Sequence, residues 1–548
     1  MKSGVWARLT VTRWMLIVVV ALTAATSVAA CGILGSNKES ELSAALHRFA
    51  DAIGAQDATK AGSLTSAPAQ ATDAYTSTLT SMRAQKVQVT VQDPVEYSDG
   101  SANFSLTTSW QFGKDRTFTI GTKGSARKLS AGWRVQWDPS LIADGLPPGG
   151  YLRQVRTDAR PAPALLSSTR QPWMSLQPVN DIVVDPARVK NPAATASALA
   201  ATLKPIAPLI TTSTIRSQLD MAQGKPVTVV SLRDSDMTVL DSDPDDVTGV
   251  SVVKNSDLLV IDRRINTPLT ATATDYWQTV RDATSGWEVQ RVDPGRRPIR
   301  LDGAQGPAAK SLSTSFDPNA QLTLGDSVVE VAQAASMLVL DAKTGGVVAA
   351  AQNTAAQNEK VTITDRYTPG TTLDPVFAAV NAAAGGNKDK TRQLANGLGL
   401  ELGYMVPGLT PKGGQGAAPA SQVSLDSASS RVSMLEMGAF GAAVARGDAV
   451  APTFFGTAPT VVSGGKVGAA DPSVLNPVRA AMAKTVATGD ASDLTGAPGL
   501  NALVGTNGPQ GPGWFVGLQG GKVVVVYCTG AKSGTAALQV AQKYFRTM

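Results

Sequence analysis

Histidine is almost absent from this chain. Its 548 residues hold one, His47, and only two cysteines, Cys31 and Cys528. A single imidazole removes histidine-rich zinc centres. His47 also lies in an early polar helical stretch, far from any nucleophile-bearing turn, so Ser-His-Asp and Cys-His catalysis lack an anchor. Two thiols exclude a disulfide framework. Cys528 follows the apolar run 523–527 and reads as a small buried hydrophobe in a strand. Charged residues make up only 17% of the chain and form no basic cluster, which argues against a nucleic-acid partner. No cofactor and no metal is expected. Any chemistry falls to Ser, Thr, Lys or carboxylates. The composition is otherwise that of a globular protein, too long for one hydrophobic core, and two to four domains are expected.

Long apolar runs are also scarce. The one at the start extends from Trp14 to Val28 without a charge, behind Lys2, Arg8 and Arg13, and is short for a stable span. It ends in Val28-Ala-Ala-Cys31. A basic region, a short apolar region and small residues at a cut are the layout of an export signal. The ending resembles the bacterial lipobox, in which the Cys is acylated and becomes the new N-terminus; a plain signal peptide or a single anchor helix is the alternative. The resemblance implies lipidation at Cys31, an anchor in the plasma membrane, and a protein on its outer face. Removal of residues 1–30 would lower the net charge from +6 to +3.

Residues 32–40 read as a polar tether. An amphipathic helix is then expected from Glu41 through Leu42, Leu46, Phe49 and Ile53 to Gly54, and a second over 72–82. Strands are expected at 87–91, 102–110 and 116–121. A last strand carries Trp133, Val135 and Trp137 on alternate positions. Helices followed by an antiparallel sheet make a small α+β domain. The turn-rich Leu146-Pro-Pro-Gly-Gly150 closes it. Beyond lie a helix expected over 193–203 and strands at 227–232 and 258–263. Further on come a hairpin turning at Asp341 to Gly346, a Gly/Pro/Ala-rich loop at 408–420, two apolar strands at 513–517 and 522–527, and a closing helix over 535–545.

Several segments resemble the class B penicillin-binding proteins, in particular the actinobacterial penicillin-binding lipoproteins. Trp133-Arg-Val-Gln-Trp-Asp-Pro-Ser-Leu-Ile142 is similar to the end of their N-terminal domain, and Asp185-Pro-Ala-Arg-Val-Lys-Asn-Pro192 to a segment of the middle region. Thr314-Ser-Phe-Asp-Pro-Asn-Ala-Gln321 and 336–349 resemble the start and first hairpin of the transpeptidase domain. The resemblance implies an α+β multidomain protein. Residues 1–30 would be a signal peptide and 31–40 a lipidated tether. Residues 41–150 would form a cone-shaped, nuclear-transport-factor-like domain and 151–310 an extended pedestal. Residues 311–548 would form a penicillin-binding, transpeptidase-like (β-lactamase-like) domain.

That family needs a nucleophilic Ser with a Lys three residues on, a Ser-x-Asn, and a Lys-Thr-Gly on an edge strand. Here the family's Tyr-x-Pro-Gly turn is present as Tyr367-Thr-Pro-Gly370, but Thr371-Thr-Leu-Asp374 follows it. Asp374 substitutes an anion for the amine. Pro375 disfavours helical geometry at Asp374, so a helix is expected from Pro375 to about Ala384, capped by Asp374 and ended by Gly385-Gly386. No Ser-x-Asn occurs after residue 300. Asn476 to Met482 and Thr485 to Ala491 resemble the family's helix before the Lys-Thr-Gly strand, and the resemblance puts that strand at 502–506, with Leu503, Val504 and Gly505 in the motif's positions. Lys343-Thr-Gly345 falls in a hairpin turn and Lys532-Ser-Gly before the closing helix. Ser125, Ser251 and Ser463 each precede a Lys by three without the turn-and-helix context.

Three readings follow. The first is a catalytically inactive transpeptidase homologue acting as scaffold or regulator in peptidoglycan synthesis. Its expected partners are peptidoglycan or its precursors, cell-wall synthesis proteins and, through the lipid, the plasma membrane, with weak penicillin binding at most. The second is an active D,D-transpeptidase using Thr371. The third is a binding module centred on the N-terminal cone.

Overall fold

The computed structural model describes residues 40–411, 425–494, 497–506, 511, 513–530 and 532–548. The leader, Cys31, most of the tether and most of the 408–420 loop lie outside them. Along the chain, α1 (Glu41–Gly54), α2 (Ala58–Ser63) and α3 (Pro68–Met82) precede β1 (Lys86–Glu96), β2 (Ser101–Gly113), β3 (Arg116–Leu129) and β4 (Gly132–Val135). Next come β5 (Tyr151–Thr157), β6 (Leu165–Leu166), β7 (Pro172–Val184), α4 (Pro192–Leu203), α5 (Thr212–Met221), β8 (Val227–Arg233) and α6 (Asp234–Met237). They are followed by β9 (Val250–Val260), α7 (Leu269–Ala283), β10 (Gly286–Val292), β11 (Ile299–Ala304) and β12 (Leu312–Ser313). The remainder carries α8 (Pro318–Val328), β13 (Ala335–Asp341), β14 (Val347–Gln352), α9 (Thr354–Asn358), α10 (Asp374–Ala384), α11 (Lys388–Gly397) and β15 (Gly403–Met405). It ends with α12 (Met434–Arg446), β16 (Val461–Ser463), α13 (Pro472–Ala487), β17 (Asn501–Thr506), β18 (Gly513–Gln519), β19 (Lys522–Cys528) and α14 (Ser533–Thr547). Among the described residues no helix is long and apolar enough to cross a membrane.

Contacts divide the described residues into two compact units, one of 40–157 and 286–305, the other of those in 158–285 and 306–548. Residues 151–310 therefore contribute to both.

In the first unit, β1 to β4 form an antiparallel sheet in sequence order. Period-2 alternation along β2 buries Ala102, Phe104, Leu106, Thr108 and Trp110 and leaves the residues between them on the other face. The apolar stripe of α1 (Leu42, Leu46, Phe49, Ile53) packs on that face together with Tyr75, Leu79 and Met82 of α3. Each such side chain contributes about 1.5–3 kcal/mol through burial. Ser40 caps α1, its side chain accepting from the Ser43 amide at 3.1 Å. β4 is shorter than its alternation suggests. It stops at Val135, and Trp137 lies beyond it with its ring 5.7 Å from that of Tyr75. A second sheet, β11-β10-β5, adds Leu152, Trp287 and Val289 to the same core.

In the second unit, β12-β6-β7-β8 forms a sheet, with β9 also pairing β7. β9 begins eight residues before the expected start at 258, because its polar middle, Lys254 to Asp257, breaks the apolar pattern. The larger core surrounds an antiparallel sheet of order β14-β13-β19-β18-β17. Its inner strands are apolar on both faces because helices cover both: α12 on one, α8 and α14 on the other. Cys528 is fully buried there, and burial pushes its thiol up to about 12, which leaves it unreactive. α12 approaches so closely that a Cβ on Gly441 would lie 2.3 Å from Val523 Cγ1. Gly441→Leu is therefore expected to lower stability by about 1–3 kcal/mol, the cost of overpacking, read as a lower urea midpoint at unchanged slope.

Candidate functional site

The Tyr367-Thr-Pro-Gly370 turn is fixed from three sides. The Tyr367 amide donates to Val432 O at 2.8 Å, and the Val432 amide returns the bond at 2.9 Å. The Tyr367 ring stacks on Tyr527 of β19 with centroids 4.3 Å apart. Trp514 Nε1, from β18, donates to Thr368 O at 2.9 Å. Burial raises the Tyr367 and Tyr527 phenols above their ordinary range, so both stay neutral. These aromatics occupy the floor beneath the turn.

The chain then makes a 3-10 turn over Gly370–Leu373 and enters α10. Thr371 is exposed, yet its hydroxyl is engaged by one backbone unit of β17: Thr371 Oγ1 donates to Thr506 O at 3.2 Å and accepts from Thr506 N at 3.1 Å. No lysine is among its hydrogen-bond partners within the described residues. β17 is an edge strand, and this hydroxyl satisfies its outward amide and carbonyl at Thr506. The contact is close enough that a Cβ on Gly505 would fall 2.2 Å from the Thr372 amide nitrogen. Glycine is required at 505 by that approach, not by its backbone angle. Thr372 Oγ1 is buried without a partner among the described residues.

The other motif positions are equally plain. Leu503 is 2% exposed and belongs to the main core. Val504 alternates to the opposite face and packs against the cluster under α14. The expectation that Asp374 caps α10 is corrected. Its φ and ψ are −53° and −45°, it is the first helical residue, and Leu373 is the N-cap, with no side-chain cap bond. The 3-10 lead-in already holds the chain in helical geometry and overrides the pre-proline preference. The helix ends as expected, at Ala384 with Gly385 left-handed. The Asp374 carboxylate is exposed and sits in the first turn, where the helix dipole favours an anion.

The remaining motif look-alikes are dispersed. Ser125 and Lys128 lie on β3, Ser251 and Lys254 on β9, and an odd spacing on a strand sends the two side chains to opposite faces. Lys343-Thr-Gly345 forms the β13–β14 turn, where Asp341 accepts from the Thr344 amide at 2.9 Å. Lys532 is the N-cap residue of α14. The structure thus brings Thr371 to β17, alongside Gly505 and Thr506, and leaves the Asp374 carboxylate outside that contact. Thr371→Val is expected to cost about 1 kcal/mol by orphaning the Thr506 groups, and Thr371→Ser close to nothing, as measured by thermal unfolding.

A buried ion pair beside the turn escaped the motif reading. Arg366 Nη2 lies 2.7 Å from Glu436 Oε1, with side chains 10% and 1% exposed. The same Nη2 donates to Leu402 O at 3.0 Å, while Nε and Nη1 have no hydrogen-bond partner among the described residues. Glu436 closes a capping box on α12: its carboxylate accepts from the Ser433 amide at 2.8 Å, and Ser433 Oγ accepts from the Glu436 amide at 3.1 Å. Burial pushes the Glu436 carboxyl up to about 7, against the opposing pull of Arg366 and the Ser433 amide. Glu401 and Tyr404 face the same pair, and burial raises both of their pKa values. Ser433-x-x-Glu436 ahead of an apolar run is a legible capping signal; its ionic partner is not.

Comparison with known proteins reaches the other unit. Residues 42–149 match the family model of the NTF2-like N-terminal transpeptidase domain. No curated protein matches the chain. The matched span covers α1 to α3 and β1 to β4, the helices-then-sheet unit described above. The chain is thus a mixed α+β multidomain protein whose N-terminal domain is NTF2-like and of the penicillin-binding-protein type.

Proposed function

We propose that this chain is a lipid-anchored, extracytoplasmic protein on the penicillin-binding-protein plan, whose pedestal and transpeptidase-like domains serve as a scaffold or regulator of peptidoglycan synthesis and not as a catalyst. The supporting observation is the Thr371 hydroxyl, which gives its one proton to the Thr506 carbonyl and accepts from the Thr506 amide. An acyl-transfer nucleophile needs a base within hydrogen-bond reach. Among the described residues the Thr371 hydroxyl has no hydrogen bond to Asp374, and Leu503 fills core where the family's strand carries a lysine. The expected ligands are peptidoglycan or its precursors and the proteins that assemble it. The leader and the Val28-Ala-Ala-Cys31 sequence support the anchor.

Intact-mass measurement of the protein after incubation with a labelled β-lactam tests the reading. No adduct is expected. An adduct that disappears in Thr371→Ala would instead establish a threonine acyl-enzyme and an active D,D-transpeptidase.

A further inference from the structure

We propose that one end of the N-terminal sheet, made by the β1–β2 and β3–β4 turns, rests on the bilayer that holds Cys31. The inference rests on the lipid-anchor reading above. Val95, Tyr97 and Leu129 are 50%, 47% and 49% exposed, and all three belong to these two turns or the strand ends leading into them. The turns are joined: the Lys128 amide donates to Gly100 O at 2.9 Å, and the Gly100 amide to Tyr97 O at 3.1 Å. The same end carries the start of α1, because Lys128 Nζ lies 3.0 Å from Glu41 Oε2. The opposite end of the sheet, the β2–β3 turn at Lys114-Asp115, presents charge and no large apolar side chain.

Chain length decides which end meets the membrane. Eight residues separate Cys31 from Ser40, and the nine steps reach at most about 32 Å when fully extended. β2 runs the length of the sheet, 13 residues or roughly 40 Å. An upright domain with its Lys114-Asp115 end on the bilayer would hold Ser40 beyond the tether's reach. With the Glu41 end down, Ser40 lies within that reach of the bilayer and the three apolar side chains meet the headgroup region. There an aromatic such as Tyr97 gains from an apolar body and a wet hydroxyl. Two bases, Arg127 and Lys128, stand beside three acids, Glu41, Glu96 and Asp99, so this end has no excess of positive charge to draw it to the membrane and the contact is apolar and interfacial.

The test uses the full-length lipidated protein in vesicles of phosphatidylglycerol and phosphatidylcholine. With Cys31 acylated and Cys528 buried, a single introduced thiol takes a polarity-sensitive fluorophore in Leu129→Cys or, as the control, in Asp115→Cys. Iodide quenching at 129 is expected to fall about threefold or more on vesicle attachment, with a blue shift, and quenching at 115 to stay as in solution. Equal quenching at both positions, in protein that still floats with the vesicles, overturns the contact and leaves the anchor standing. Flotation of Cys31→Ser reports on the anchor alone: loss of flotation is expected, and flotation undiminished would remove the tether argument.

Discussion

Arg366→Met is expected to lower the stability of the second unit by about 3–5 kcal/mol, the cost of stranding one member of a buried ion pair. Methionine fills most of the arginine's volume, so the loss would come from Glu436 and from Leu402 O, which both lose their guanidinium partner. The pair already carries an unsatisfied burden in Arg366 Nε and Nη1. Adding Glu436→Gln should recover much of the loss, because an amide oxygen can still accept from the Ser433 amide while leaving no charge behind. A double-mutant cycle by thermal unfolding measures the coupling, and additive single effects would contradict it. The pH dependence has a definite sign. The folded Glu436 carboxyl titrates at about 7 against an ordinary value of 4.5, so between these values the native state binds the proton more tightly than the unfolded chain. Its contribution to stability is therefore full below about 4.5 and is lost as the pH rises through about 7. Arg366→Met removes the pull that holds this carboxyl down, and the window moves upward. Stability of the variant should then keep falling with pH beyond the point where the parent has levelled off.

Much of the fold was legible because its signals are local. The four apolar residues that place α1 are all buried in the structure, and the helix starts and stops at the expected residues. Hairpins with glycine turns, such as Asp341 to Gly346, were equally clear. Failures came where a local rule met a neighbour it could not see. α3 begins at Pro68, with a proline in the first helical turn, instead of at 72. Asp374 adopts helical angles before a proline because the preceding 3-10 turn delivers it that way. At the site, the sequence identified Thr371, Leu503 and Val504 as altered positions and Gly505 as the motif's retained glycine, but gave no hint that Thr371 is tied to Thr506 or that Gly505 is glycine for contact with Thr372. Arg366 and Glu436 lie 70 residues apart, and no periodicity links a guanidinium to a carboxylate across that distance.

Rebuilding the family's residues one by one should fail to rebuild the reaction. In Thr371→Ser/Asp374→Lys, the serine can keep both bonds to the Thr506 backbone, so its proton remains committed to a carbonyl. The new lysine would stand at the first residue of α10, where its charge opposes the helix dipole by about 0.3–1 kcal/mol. Leu503→Lys is more severe. The site is 2% exposed, within the core that holds Trp514 and Val516, so a cation there would be taken out of water among apolar side chains. It should cost about 3–5 kcal/mol, the range for a buried charge without a partner. The combined triple variant is therefore expected to melt well below the parent and to give no acyl adduct with a labelled β-lactam by intact mass. Acylation of the folded double variant Thr371→Ser/Asp374→Lys would show that the Thr506 contact yields to a serine nucleophile, and that the missing amine alone had silenced the site.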